Sequence, residues 1–396
     1  MKKTRRLVVL LLFFLLISNL WAQDPQDLLR SFTRNFAISS LDVKMQIIQD
    51  AGTSGYPQMG PLYQQAIDFV LGNFTLIDTD QRFRQLAILA VDQMEASGYT
   101  EGRHSVWKLF DTDEETGVRI SCLNALGKLA RGDEEIIEYL NVWLDNQNTL
   151  FRSGKVPDLY VISAAVRALA ELGDRSSFPV LFSTMTIGYT DAISRSARDG
   201  LFGLGGGLKD NMIGILKESD LEEKKLALQM SLETDRLDDS AKAQIAQFAM
   251  DVALHTAAVD NPSRQIARDI RYLAAVALTE RKWSAATDLA VEHFDTVLME
   301  YDRGLTDKQR LVEAVDCLGA MGTHEAAVRL TQYLVLLNAY TERLQEFDNA
   351  VVLAVVKNLG TLGDKTAFDD LLYTQYLSYS SEIKNAAREA LDNLRW

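Results

Sequence analysis

Thiols, imidazoles and positive charge are all scarce in this chain. Its 396 residues hold two cysteines, Cys122 and Cys317, too few for a disulfide framework or a four-thiolate metal site. The four histidines, His104, His255, His293 and His324, show neither His-x-x-x-His nor His-Glu-x-x-His spacing, so no zinc helix is indicated. Lys and Arg number 41 against 55 Asp and Glu, a formal charge of −14. General affinity for nucleic acid or anionic lipid needs the opposite balance. An apolar share of 47% is that of an ordinary globular protein, which excludes disorder, a collagen-like repeat and a multi-span membrane protein.

The one long apolar run stands at the start. Lys2, Lys3, Arg5 and Arg6 precede an unbroken apolar stretch from Leu7 to Ile17, followed by Ser18-Asn-Leu-Trp-Ala22. That order of charge, short apolar core and small-residue cut is the layout of a secretory signal peptide over residues 1–22. The core falls short of the ~20 residues that a spanning helix needs. Cleavage after Ala22 removes four basic residues and no acidic one, taking the charge from −14 to −18. Leu20 is bulky for its place before the cut, so an uncleaved N-terminal anchor is the alternative. With no cysteine near the cut to carry a lipid, the expectation is an exported protein, most simply periplasmic, with no membrane insertion after cleavage.

The remainder, 23–396, repeats itself. Ser121-Cys-Leu-Asn-Ala-Leu-Gly-Lys-Leu129, Ala164-Ala-Val-Arg-Ala-Leu-Ala-Glu-Leu172, Glu313-Ala-Val-Asp-Cys-Leu-Gly-Ala-Met321 and Ala354-Val-Val-Lys-Asn-Leu-Gly-Thr-Leu362 align on Leu126, Leu169, Leu318 and Leu359. Apolar residues recur three and four before and three after each anchor, one face of an α-helix. Gly132-Asp133, Gly173-Asp174, Gly322-Thr323 and Gly363-Asp364 follow. Glycine ends a helix in the left-handed conformation and Asp or Thr caps the next one, so each unit is helix A, a tight turn, helix B. Thr306-Asp-Lys-Gln309 spells a capping box ahead of helix A around Leu318. Weaker anchors at Ile48, Leu89, Leu201, Leu232 and Leu278 extend the series at steps of 31 to 46 residues, in the range of two-helix repeats.

Phe110-Asp-Thr-Asp-Glu-Glu-Thr-Gly-Val-Arg119, running into Cys122-Leu-Asn-Ala-Leu-Gly-Lys-Leu129 and Gly132-Asp133, resembles a HEAT-type repeat. Only this unit keeps the Val-Arg pair, and Arg131 is inserted before its Gly-Asp. The resemblance implies an all-α, right-handed α-solenoid of about nine stacked two-helix repeats, clearest over 110–190 and 306–394. It implies a mainly protein-binding role and brings no catalytic residue with it. The amphipathic stretch Ser381 to Trp396 reads as a C-terminal capping helix. Asp145 to Pro157 and Gly52 to Pro61 read as the two longest irregular stretches.

Motifs with chemical associations give way to packing. Gly200-Leu-Phe-Gly-Leu-Gly-Gly-Gly-Leu-Lys209 lacks the Lys-Ser/Thr of a P-loop and the third glycine of a dinucleotide fingerprint; it reads as a helix end and a joint. Asp111 to Glu115 has an acidic composition without the glycine and distal Glu of an EF-hand, and suits a helix N-terminus. HEAT-like di-iron hydroxylases use several His-Glu pairs; His324-Glu325 is one pair, and His324 reads as the start of a helix B. Arg131-Gly132-Asp133 is an adhesion tripeptide whose parts serve the A–B turn. Asn73-Phe-Thr75 is a sequon that matters in a eukaryotic secretory pathway. Cys122 and Cys317 lie about five units apart on helix stripes, beyond the ~7 Å reach of a disulfide, so two free buried thiols are expected.

The aromatics of helices B remain: Tyr139 and Trp143, Tyr333 and Tyr340, Tyr373 and Tyr376. Their spacing fits a core stripe first, and as surface groups they are favoured interface anchors. They are the candidate partner-binding residues, with no catalytic, cofactor or metal residue to set beside them. The function expected is a non-enzymatic scaffold or adaptor that holds protein partners, and the acidity of the chain points to a basic segment in the partner. The alternatives are a structural subunit of a larger cell-envelope complex and an enzyme subunit using a site in the loops at 52–61 or 145–157.

Overall fold

The computed structural model describes residues 25–77, 79–204, 207–343 and 347–395. The expected signal peptide, 1–22, lies outside them. The protein is all-α: among the described residues there are twenty α-helices and no β-strand. The chain divides into two compact units, Met1–Gly205 and Gly206–Trp396.

The first unit comprises α1 (Pro25–Ile38), α2 (Leu41–Thr53), α3 (Gly60–Gly72), α4 (Arg82–Ser97), α5 (Arg103–Thr112), α6 (Thr116–Leu129), α7 (Glu134–Arg152), α8 (Leu159–Leu172), α9 (Phe178–Ile187) and α10 (Asp191–Gly203). Even helices pack on even helices, α2 to α4 to α6 to α8 to α10. Odd helices do the same: α1 meets α3, α3 meets α5 and α7 meets α9, and aromatic pairs join α5 to α7.

The second unit comprises α11 (Leu208–Glu218), α12 (Leu221–Glu233), α13 (Asp239–His255), α14 (Asn261–Arg281), α15 (Thr287–Asp302), α16 (Lys308–Met321), α17 (His324–Glu342), α18 (Asn349–Leu362), α19 (Phe368–Thr374) and α20 (Ser381–Asp392). Its rows run α12 to α14 to α16 to α18 to α20 and α11 to α13 to α15 to α17 to α19.

The apolar stripe is what makes the even row. Cys122, Leu123 and Leu126 on α6, and Val355, Val356 and Leu359 on α18, are wholly buried, each large side chain contributing about 1.5–3 kcal/mol. Two of the weaker anchors are displaced. Leu89 and Leu232 are only half-buried; Leu86 and Ala90 on α4, and Leu228 on α12, occupy the core instead. Small residues just past each anchor allow the even helices to approach. A methyl on Gly127 would sit 3.1 Å from the Ala168 Cα, and one on Gly360 2.9 Å from the Ala390 Cα.

The turns follow the expected chemistry. Gly132, Gly173, Gly322 and Gly363 all have φ between +67° and +77°. Asp133 accepts from the Ile136 N–H and Thr323 from the Ala326 N–H to open α7 and α17. Asp174 and Asp364 cap short 3₁₀ turns that lead into α9 and α19. The capping box is corrected: Asp307, not Thr306, accepts from the Arg310 N–H. Thr306 lies instead 3.1 Å from the Tyr272 hydroxyl. Glu115 caps α6 through the Val118 N–H, as an acid at a helix start should.

Both expected loops are largely helical. α7 continues through Asp145 to Arg152, because Asn148 is fully buried and bonds Thr184 and Tyr189, overriding its weak helix propensity. Around 52–61, α2 runs to Thr53 and Pro57 and Pro61 occupy first-turn positions of a 3₁₀ turn and α3, where a missing N–H costs nothing. In the glycine-rich segment, α10 ends at Gly203 and Gly207 caps α11.

The two units share a segment. Residues 158–204 match 348–394 without a gap, with 17 of 47 positions identical, too many for unrelated helices. Asp158, Leu169, Gly173, Phe178, Thr184 and Tyr189 correspond to Asp348, Leu359, Gly363, Phe368, Thr374 and Tyr379. Helix boundaries keep the same offset: α8 and α18, the 3₁₀ turns, and the caps Thr190 and Ser380 of α10 and α20.

Candidate interaction surface

The six candidate aromatics divide into packing residues and surface residues. In the first unit, Tyr139 and Trp143 on α7 meet Trp107 and Phe110 on α5. Tyr139 stacks on Trp107 at 5.3 Å and donates to Glu135, 2.6 Å; this carboxylate pushes its phenol pKa up. Trp143 meets Phe110 edge-on at 5.1 Å, and the Arg119 guanidinium lies over both rings. Tyr139 is 40% exposed and Trp143 half-buried.

Tyr333 repeats the role of Trp143. It meets Phe294 of α15 edge-on at 5.3 Å, with the Arg329 guanidinium over Phe294. Tyr333 is 1% exposed, so it is corrected from a partner contact to a core residue. Burial raises its pKa strongly, and its hydroxyl has no hydrogen-bond partner among the described residues. Tyr340 stacks on Phe347, which also meets Tyr333 edge-on. Spacing identified Tyr333 and Tyr340 but not Trp107, Phe110, Phe294 or Phe347. The three-residue step from Trp107 to Phe110 was the available signal.

Tyr373 and Tyr376 are the surface pair. Tyr373 lies on α19, 40% exposed, and its bond to Glu342 of α17 raises its pKa. Tyr376 is 78% exposed and lies beyond the end of α19, not on a helix B. Val335 and Leu336 on α17 and Leu372 on α19 are also exposed, at 47%, 41% and 36%. Beneath them the two helices are locked by a buried polar pair. The Asn338 amide donates to the Asp370 carbonyl, and Thr374 donates to Asn338 Oδ1 and to Asp370 O. Asn148 and Thr184 make the same lock between α7 and α9, with the Val180 carbonyl as acceptor. There Tyr189 adds a hydroxyl, donating to Asn148 Oδ1 at 3.1 Å.

Other titratable groups are placed structurally. Arg268 and Arg271 of α14 clasp Glu300 of α15, with Tyr272 alongside. Next to them His293 is buried and neutral, its pKa pushed down to about 3 by desolvation and the Arg271 charge. His324 starts α17 and bonds Asp364 at 2.8 Å, its pKa raised by that carboxylate. Asp113 is buried against Arg84 at 3.2 Å. Both thiols are buried and free; burial pushes Cys317 up to about 11 and Cys122 higher. The first unit holds a cavity of about 130 Å³ beside the 52–61 segment, lined by Tyr56, Pro57, Tyr63 and Gln93. Among the described residues, no group of three His, Cys, Asp or Glu is placed to hold a metal, and no helix is long and apolar enough to cross a membrane.

No protein-family model matches the chain, and no curated protein is similar enough to it to count as a relative.

Proposed function

We propose that the protein is an exported, non-enzymatic scaffold, a HEAT-like α-solenoid that holds a protein partner on its odd-numbered helices, in the periplasm. One observation carries this: within each unit every helix packs on the helix two places away, so cores are built from neighbours and the outward stripes of the odd helices stay free. Large exposed apolar side chains on those stripes, Tyr139 and Val142 on α7 and Val335 and Leu336 on α17, support a protein-facing role. The N-terminal charge and apolar pattern supports export.

The test is crosslinking of the full chain in its native cell envelope followed by affinity capture. A reproducible protein adduct is the expected result, and its stoichiometry separates a transient client from a fixed subunit of a larger complex. A purified protein that instead turns over a small molecule, with no adduct, contradicts the scaffold role.

A further inference from the structure

We infer that the outward face of α17 and α19 is a docking groove for an amphipathic helix that is apolar on one side and basic on its flanks. This deepens the scaffold role proposed above and rests on it. The internal match supplies a control that one structure rarely contains. α7 and α17 keep the offset of that match, so at the positions of Val335, Leu336, Tyr373 and Tyr376 the first unit has Asp145, Asn146, Ser183 and Thr186. The Asn–Thr lock and the spans of α7 and α17 are the same in both units, whereas α9 continues to Ile187 and α19 ends at Thr374. The Asn–Thr lock therefore forms with polar residues at these four places, Asp145 and Asn146 exposed and Ser183 buried.

The geometry fits a helix. Contacts at the starts, His324 to Asp364, and at the ends, Asn338 to Thr374, make α17 and α19 run side by side in the same direction. Two packed helices leave a shallow groove between ridges ~8–10 Å apart. Here Val335 lies on the α19 side of α17, Tyr373 and Tyr376 stand across from it, Leu336 extends the apolar face toward α15, and an incoming helix can lay an apolar face along them. Charge sets the flanks. Glu325 and Asp369 are exposed beside the groove, and the outward residues of the adjoining α15 include Asp288, Glu292 and Asp302. Arg343 after α17, Lys365 ahead of α19 and Arg303 after α15 are the exposed cations there. The acidic excess, in a chain of net charge −14, selects a basic partner.

The test uses the full chain and a variant carrying the first unit's residues, Val335→Asp, Leu336→Asn, Tyr373→Ser and Tyr376→Thr, checked for unchanged helicity and melting. The probe is a fluorescent amphipathic peptide of Leu and Lys, read by anisotropy, with an apolar-free Lys/Ser peptide of equal charge as control. The wild type should bind the Leu/Lys helix at least roughly tenfold more tightly than the variant does, and should not distinguish itself from the variant with the control. Equal binding by the variant, or equal binding of the control peptide, overturns the groove. Self-association of the wild type that the variant loses in sedimentation overturns it too, since the occupant is then a second copy. In envelope crosslinking, an adduct made equally by both proteins overturns the groove and leaves the scaffold role standing; no adduct with either overturns both.

Discussion

Segments 158–204 and 348–394 are the same local fold written twice, and what differs between them separates structure from use. Inside, the residues are kept: Leu169 and Leu359 in the even row, Phe178 and Phe368 at the helix starts, Thr184 and Thr374 in the buried lock. The edge-on aromatic pair just ahead is kept in kind, Phe110 with Trp143 and Phe294 with Tyr333. Where the first unit has a buried Ser183 and a half-buried Thr186, the second has the exposed Tyr373 and Tyr376. A core position that changes costs packing, whereas aromatic rings left in water at Tyr373 and Tyr376 expose apolar area. The contrast therefore places constraint in the interior and an added aromatic surface at the end of α19.

The comparison can be pressed first at the aromatic pair. Tyr333→Ala should cost about 3–5 kcal/mol, because the ring is buried between Phe294 and Phe347, while Trp143→Ala, half-exposed, should cost about 2 kcal/mol. Denaturant titration gives the totals, and hydrogen exchange assigns each loss to its own unit. Equal costs would mean that the two pairs are not equivalent in depth.

The lock comes next. Asn148→Ala removes the bond to Thr184 and strands the Tyr189 hydroxyl, so a loss of about 3 kcal/mol is expected; Asn338→Ala, which removes the bond to Thr374, should lose about 2 kcal/mol. A larger effect at Asn338 would reverse the order that the hydrogen bonds give.

A pH effect separates the units more finely. His293 precedes Phe294 as Leu109 precedes Phe110, and both are buried on the odd row. With its pKa pushed down to about 3, His293 stays neutral in the folded chain while the unfolded chain takes up a proton below about 6.5. Its contribution is complete above that pH and is lost as pH falls toward 3, at up to about 1.4 kcal/mol per unit. His293→Leu should remove this slope from melts between pH 6.5 and 4.5 and leave the first unit unchanged. A slope that survives the substitution assigns it to other groups.

Much of this was legible beforehand because it is periodic. The stripes around Leu126, Leu169, Leu318 and Leu359 and the Gly-Asp turns name the helices and their ends, since a 3.6-residue period and a left-handed glycine leave local marks. Asn148 was misread because its partners, Thr184 and Tyr189, lie more than thirty residues away, and propensity alone argues for a loop. Thr306 was misread because a capping box and an Asp cap share nearly the same letters, and Tyr272 decides between them. Tyr333 and Tyr373 both looked like helix B aromatics; only the packing of α15 and α17 buries one and leaves the other exposed. The paired locks escaped notice because each rests on two polar residues, which hydrophobic patterning does not weigh.

The most direct measurement is site-specific photocrosslinking in the native envelope, with the probe at Tyr376 in one protein and at the matching Thr186 in another. A partner held by the outward face of α17 and α19 should give a discrete protein adduct from position 376 and none from 186. Equal adducts at both positions, or none at either, would contradict the assignment of binding to the second unit's odd helices.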